Sequence, residues 1–277
     1  MKFQQKPFKN DPLSKKFSHH KLFGTVGTLP RTLNRPKRPV EDQGSTLRCA
    51  AYAGAVNGGY INSQRFSPSF QADKISYIQG WDIDERGSDP NAAMKSQRDY
   101  GYLPISLEMD PEKDTRAKGY HVAGYVKVDG PLDMFDDIRS ALFMAYNPKT
   151  ESGACVQAFG TWYHEWTNAA FIPNEYTSFA GYHSYLFVDF TTLNGKDFLI
   201  AQNSYGHDVG SNGFHYFPRE VVNREFARQG TSVKIVKPLT KEQIELAKQD
   251  TFLGRLQKLI ISIWGVLSDT YGNIKRA

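Results

Sequence analysis

The chain reads as an α+β protein, with helices first and antiparallel strands second. Two observations carry that expectation. Stretches rich in good helix formers open at recognisable caps as far as about residue 143, and runs of β-branched and aromatic residues take over beyond them. A third observation bounds the size: 277 residues, 40% hydrophobic and 23% charged, suit a globular chain of one sizeable domain or two small ones and exclude a disordered or collagen-like one.

Residues 1–39 hold Pro7, Pro12, Pro30 and Pro36 and little periodicity, so an extended segment is expected there. A helix starts at Cys49 and continues through Ala50, Ala51, Ala53, Ala55 and Val56, with Gly58-Gly59 as its expected stop. Ser67-Pro68 introduces a second helix carrying Phe70, Ile75, Tyr77 and Ile78. Asp89-Pro90 introduces a third carrying Ala92, Ala93 and Met94, which ends before Gly101. A fourth follows Gly130-Pro131, with Leu132, Phe135, Ile138, Leu142 and Phe143 at helical spacing. Strands are then expected at 154–162, 184–192, 196–202, 214–217 and 232–236, with Asn194-Gly195 as a tight turn between the second and third.

The formal net charge of +5 is concentrated at one end. Residues 1–40 carry ten Lys or Arg against Asp11 alone, a local +9 that leaves the remainder at −4. Such an arm binds phosphates or acidic surfaces or stays solvated, and solvation is the expectation, so no nucleic-acid partner is expected. Two cysteines, Cys49 and Cys155, make one disulfide at most, which fits a reducing compartment. No bilayer-spanning run is expected, because the longest apolar stretch, Leu259 to Leu267, is broken by Ser262 and Gly265. The N-terminus lacks the apolar core of a secretory signal.

Chemistry concentrates in two stretches. In Gln43-Gly44-Ser45-Thr46-Leu47-Arg48-Cys49 a thiol sits at the first turn of a helix, with an amide side chain six residues earlier. Partial positive charge at a helix N-terminus favours a thiolate. If the loop folds back, the Gln43 N–H and the Cys49 backbone N–H can hold one oxyanion. Alone the stretch carries little, since a cysteine at a helix start is more often a small buried hydrophobe. The second stretch puts His183 and Asn203 at the same end of a hairpin, where an imidazole can take the thiol's proton and an amide can hold its tautomer. A strict two-residue turn at Asn194-Gly195 would pair Asn203 with Leu186, on the face opposite His183. The pair therefore requires a bulge or an odd loop.

Together these residues resemble the papain-like cysteine peptidases. The matches are Gln43-Gly44, Cys49, Gly181-Tyr182-His183, and Asn203-Ser204-Tyr205-Gly206 followed by Gly210 and Gly213 at the family's spacing. Bacterial-type members are further matched at Gly87-Ser88-Asp89-Pro90 and at Val156-Gln157-Ala158-Phe159 with Tyr163. The resemblance runs from about Leu29 to Val236. It implies a two-lobed papain-like fold, with a helical lobe at about 40–130, a β lobe at about 131–237 and the cleft between them. It also implies a cysteine peptidase without cofactor or metal, acting on polypeptides. Cys49 would be the nucleophile, His183 the base, Asn203 its orienting group and Gln43 an oxyanion donor, with Gly87 and Ser88 binding substrate. Three departures stand out. Thr46 occupies the place of a disulfide cysteine, Ala50 that of the Trp after the nucleophile, and Tyr205 that of the Trp shielding the Asn–His bond. Only about 28 residues precede Leu29-Pro30, so conventional zymogen control is not expected.

Other features read as structural. His121, His164, His207 and His215 show no ligand spacing and read as surface or satisfied polar groups, as do His19 and His20 in the basic arm. Cys155 opens an apolar strand and reads as an inert buried thiol. Residues 238–277 read as a helical extension, capped at Thr240-Lys241-Glu242-Gln243, with Leu253, Leu256, Ile260, Ile263 and Leu267 on one seam. Packing on its own domain is expected, and partner binding or self-association is the alternative. The rival to the peptidase is a catalytically silent scaffold docked through the basic arm and that helix. A peptidoglycan-cleaving or transglutaminase-like enzyme is disfavoured by the Asn-Ser-aromatic-Gly block.

Overall fold

A computed structural model of the chain describes residues 29–128, 133–228 and 231–238. The basic arm 1–28, the Gly130-Pro131 helix opening with Leu132, and the expected extension from Thr240 through Leu267 lie outside the described residues.

Helix α1, Cys49–Asn62, is buried on nearly every side, which its run of Ala and Gly permits. A methyl group added at Gly58 would stand 2.8 Å from the Tyr102 ring. The Gly58-Gly59 pair therefore serves close packing, and the expected stop there is corrected. The helix runs on to Asn62 and ends where Ser63 turns left-handed at φ 57°.

Helix α2, Pro68–Gln79, opens on Ser67, whose hydroxyl accepts the Phe70 N–H at 3.0 Å. After a short α3, Ile83–Arg86, comes α4, Pro90–Asp99, where Asp89 Oδ1 accepts the N–H groups of Asn91 and Ala92 at 2.7 and 3.0 Å. Both helices start where the sequence placed them. Helix α6, Met134–Ala145, is capped by Asp133. The short α3 was not foreseen, nor were a short helix α5, Lys113–Lys118, and strand β1, Val122–Lys127.

A two-stranded ribbon follows, β2 (Tyr146–Asn147) with β3 (Ser152–Gly153). The remaining strands are β4, Val156–Tyr163; β5, Phe179–Leu193; β6, Lys196–Gln202; β7, Phe214–Pro218; and β8, Ser232–Pro238. Helix α7, Arg219–Phe226, unforeseen in the sequence, joins the last two. Six of the strands form an antiparallel sheet in the order β1-β8-β4-β5-β6-β7. Its core is aromatic, with Trp162, Trp166, Tyr185, Phe187 and Phe217 fully buried, and burial of each stabilises by very roughly 1.5–3 kcal/mol. The result is a two-lobed papain-like α+β fold. Helix α1 packs on α2 and α4 to one side and on β4 and β5 to the other, so Cys49 at its head lies at the junction of helices and sheet.

The register of β5 with β6 decides whether a site exists. From Leu193↔Lys196 the pairing follows a two-residue turn at Asn194-Gly195, both at positive φ, as far as Asp189↔Ile200. It then shifts by one between Phe187 and Asp189, and the next pairs are Phe187↔Ala201 and Leu186↔Gln202. Val188 is the extra residue of a bulge. Continued past Gln202, the shifted register sets Asn203 opposite Tyr185, on the face shared with His183. This is the irregularity the sequence required.

Among the described residues no helix is long and apolar enough to cross a membrane, and no group of three or more His, Cys, Asp or Glu is placed to hold a metal.

Candidate active site

No side chain caps helix α1 at Arg48, so the N–H groups of its first turn are left to other partners. Burial pushes the Cys49 thiol up to about 11, while the backbone N–H groups of Ser184, Ala50 and Cys49 itself act the other way. The Ser184 contribution places the sulfur beside the residue that follows His183. Gln157 on β4 fixes that juxtaposition from behind, because its amide donates to the Ala50 carbonyl at 3.2 Å and to the Ser184 hydroxyl acceptor at 3.0 Å. The residues after Cys49 and His183 are thus tied to one buried side chain.

His183 lies within β5, opposite Gly160. Its Nε2 meets Asn203 Oδ1 at 2.8 Å, and its Nδ1 accepts the Tyr205 hydroxyl at 3.0 Å. The Tyr205 ring stacks on the imidazole, with centroids 4.6 Å apart at 14°. Burial pulls the imidazole down to about 3, against the raising effect of Asn203. Burial therefore disfavours the charged form of both thiol and imidazole. Desolvation thus works against the thiolate expected from the helix N-terminus, and the local N–H groups work for it.

The amide of Gln43 is oriented by its neighbours. Its Oε1 accepts the Ser204 hydroxyl at 2.6 Å, and its Nε2 donates one proton to the Thr46 carbonyl at 2.8 Å. Its backbone N–H donates to the Ser204 carbonyl at 2.8 Å. The loop thus folds back onto the Asn203-Ser204 corner, with both ends of the Gln43 amide held.

Gln43, Cys49, His183 and Asn203 are all buried, with Asn203 bonded to His183, Gln43 to the adjacent Ser204, and Gln157 joining the residues that follow Cys49 and His183. Gly87 and Ser88 reach them less directly. Arg48, next to Cys49, holds Asp84 at 2.9 Å from both carboxylate oxygens, and Asp84 stands in α3 just ahead of Gly87. The Gly87 carbonyl accepts from Gln79 Nε2 and Trp81 Nε1 at 3.1 and 3.2 Å, and the buried Ser88 hydroxyl has no hydrogen-bond partner among the described residues.

Two residues beside the site were not assigned to it from the sequence, which placed Trp162 in an expected strand and read His215 as a surface or satisfied polar group. Trp162 on β4 stands edge-on to His183 and His215, with centroids 5.0 and 5.3 Å away, and so walls the site from between the matched residues Phe159 and Tyr163. His215 on β7 is fully buried and meets Asn203 Nδ2 at 3.1 Å. Only its alternation with Phe214 and Tyr216 on a strand, facing the Asn203 turn, could have signalled that contact. Cys155 is buried and unbonded to Cys49, with its sulfur accepting from Arg35 at 2.9 Å.

No family model matches the chain, and no curated protein matches it. Solved structures do. Xylellain, a cysteine protease from Xylella fastidiosa, superposes with a TM-score of 0.70 at 16% identity, over 86% of this chain and 96% of that one. Procathepsin B S9 from Trypanosoma congolense gives 0.59 at 16% identity, over 78% and 79%. The bromelain protease from Ananas comosus, solved with the E64 inhibitor, gives 0.54 at 15% identity, over 76% and 100%. At such identities the likeness establishes the papain-like fold.

Proposed function

We propose that the chain is a cysteine peptidase that hydrolyses peptide bonds through a thioester acyl-enzyme. The observation that carries the reading is the bulge in β5, which supports a 2.8 Å hydrogen bond between His183 and Asn203 on the strand whose Ser184 backbone neighbours the Cys49 thiol. A bulge serves pairing no better than a regular ladder would, whereas it is required for these two side chains to meet.

In the proposed reaction His183 Nδ1 takes the Cys49 proton as sulfur bonds to the scissile carbonyl carbon. The Cys49 backbone N–H and Gln43 Nε2 hold the resulting oxyanion. Collapse breaks the C–N bond, and the imidazolium gives its proton to the departing amine. Water, deprotonated by His183, then adds to the thioester; the C–S bond breaks and the thiol is restored. The substrate is a polypeptide, and the Gly87-Ser88 edge is the proposed place for the residues preceding the scissile bond. The scheme needs no cofactor.

One observation favours the rival reading of a silent scaffold: Tyr205 occupies His183 Nδ1 in the described arrangement. Peptide-library hydrolysis with Cys49→Ala as the blank separates the two, together with mass-spectrometric mapping of a thiol-directed epoxide. Cleavage abolished in the variant, with the epoxide on Cys49, supports the peptidase. A chain that neither cleaves nor takes up the epoxide at Cys49 is the scaffold.

A further inference from the structure

Asn203 presents an amide to two imidazoles, and the second of them decides how the first is protonated. His215 Nδ1 stands 2.8 Å from the Ala169 carbonyl, which only accepts, so Nδ1 carries the proton. Buried completely, the ring stays neutral, with burial pulling it down to about 4. Its Nε2 therefore holds a lone pair, and the group facing it at 3.1 Å must be the NH2 of Asn203. Asn203 Oδ1 is thereby turned to His183, where it also accepts the Ser204 N–H at 2.7 Å. An amide oxygen cannot donate, so His183 Nε2 carries the proton and Nδ1 is left as the acceptor. Gly210 makes room for this chain, since a methyl group there would stand 2.7 Å from His215 Cε1 and 2.5 Å from the Phe214 carbonyl.

We propose that His215 is a positioning residue of the site: it fixes the amide of Asn203 and, through it, holds His183 in the tautomer whose Nδ1 can take a proton. The inference rests on the peptidase reading for its consequence, but the tautomers themselves do not. An Asn amide is symmetric enough in shape to flip, and a flipped Asn203 would present NH2 to His183 and favour the useless tautomer. His215, holding the NH2 end, opposes that flip together with the Ser204 N–H on the oxygen end.

Nitrogen NMR of the histidine side chains, on full-length Cys49→Ala protein, tests the proposal without any turnover. The expected result is Nε2–H at His183 and Nδ1–H at His215. A protonated Nδ1 on His183, or a protonated Nε2 on His215, overturns it. Kinetics supply the second arm. His215→Phe is expected to lower kcat on the order of tenfold with KM little changed, as for loss of one orienting hydrogen bond. Adding Asn203→Ala to that variant should cost far less than in the parent chain, and His215→Gln, whose amide oxygen can reach the place of Nε2, should recover most of the loss. Losses that simply multiply, or a glutamine variant no better than phenylalanine, would also overturn it. An absence of peptide cleavage in the parent chain removes the peptidase reading and leaves the NMR result to decide the tautomers.

Discussion

The Tyr205 hydroxyl lies 3.0 Å from His183 Nδ1, the nitrogen that the proposed reaction assigns to the Cys49 proton. A tryptophan at that position could stack on the imidazole but would have no hydroxyl to offer. In the proposed reaction this hydrogen bond is released before the thiol is deprotonated.

Tyr205→Phe keeps the stacked ring and removes the competing donor. A hydrogen bond of this kind is worth about 0.5–1.5 kcal/mol, so alkylation of Cys49 by iodoacetamide at pH 6 should accelerate roughly three- to tenfold, and any peptide hydrolysis with it. A slower variant would show that the hydroxyl assists the proton transfer instead of blocking it.

Acid should destabilise the fold through the two buried imidazoles. Burial pulls His183 to about 3 and His215 to about 4 from an ordinary 6.5. Below pH 6.5 the unfolded chain binds protons that the folded chain refuses. Stability is therefore intact above that pH and falls as pH drops toward the folded values, by about 1.4 kcal/mol per unit for each residue. Urea midpoints measured at pH 7.5 and pH 5 check this, and His215→Gln should flatten the decline. A midpoint independent of pH across that window would contradict the burial of neutral imidazoles.

Gly58→Ala tests the reading of α1 as a tightly packed central helix. Alanine improves helix propensity by about 1 kcal/mol, yet its methyl would meet the Tyr102 ring at 2.8 Å. Overpacking of this kind costs roughly 1–3 kcal/mol, so the variant should unfold at lower urea than the parent. A stabilised variant would mean that the ring yields.

The elements legible in the sequence were those with chemical punctuation. Ser67-Pro68 and Asp89-Pro90 announce α2 and α4 because a side-chain oxygen must accept the first N–H groups, and Asn194-Gly195 announces the hairpin because both residues must adopt positive φ. The bulge was legible too, as a contradiction between turn length and the face shared by His183 and Asn203. Strand β1 was not. Val122–Lys127 is a short edge strand interrupted by a register shift near Gly124, and only its partner β8, more than a hundred residues away, makes it a strand. Gly58-Gly59 misled because a glycine pair looks the same whether it ends a helix or admits a neighbour. The dependence of Asn203 on His215 was hidden for the same reason: spacing along the chain reveals ligands on one element, not a contact made across a turn.

The final prediction concerns Gln43, whose role depends on which end of its amide faces the cleft. Ser204 Oγ holds the oxygen end at 2.6 Å and the Thr46 carbonyl takes one amide proton at 2.8 Å, leaving the other proton for the oxyanion of the proposed reaction. Loss of one oxyanion donor costs on the order of 10²–10³ in kcat, so Gln43→Ala should show that loss with KM little altered. Ser204→Ala removes only the group that orients the amide, and a loss nearer fivefold is expected, about 1 kcal/mol. In the Gln43→Ala background the serine substitution should then cost almost nothing. Equal and independent losses from the two substitutions would mean that Ser204 supports the Asn203 corner directly and that the Gln43 amide is oriented by Thr46 alone.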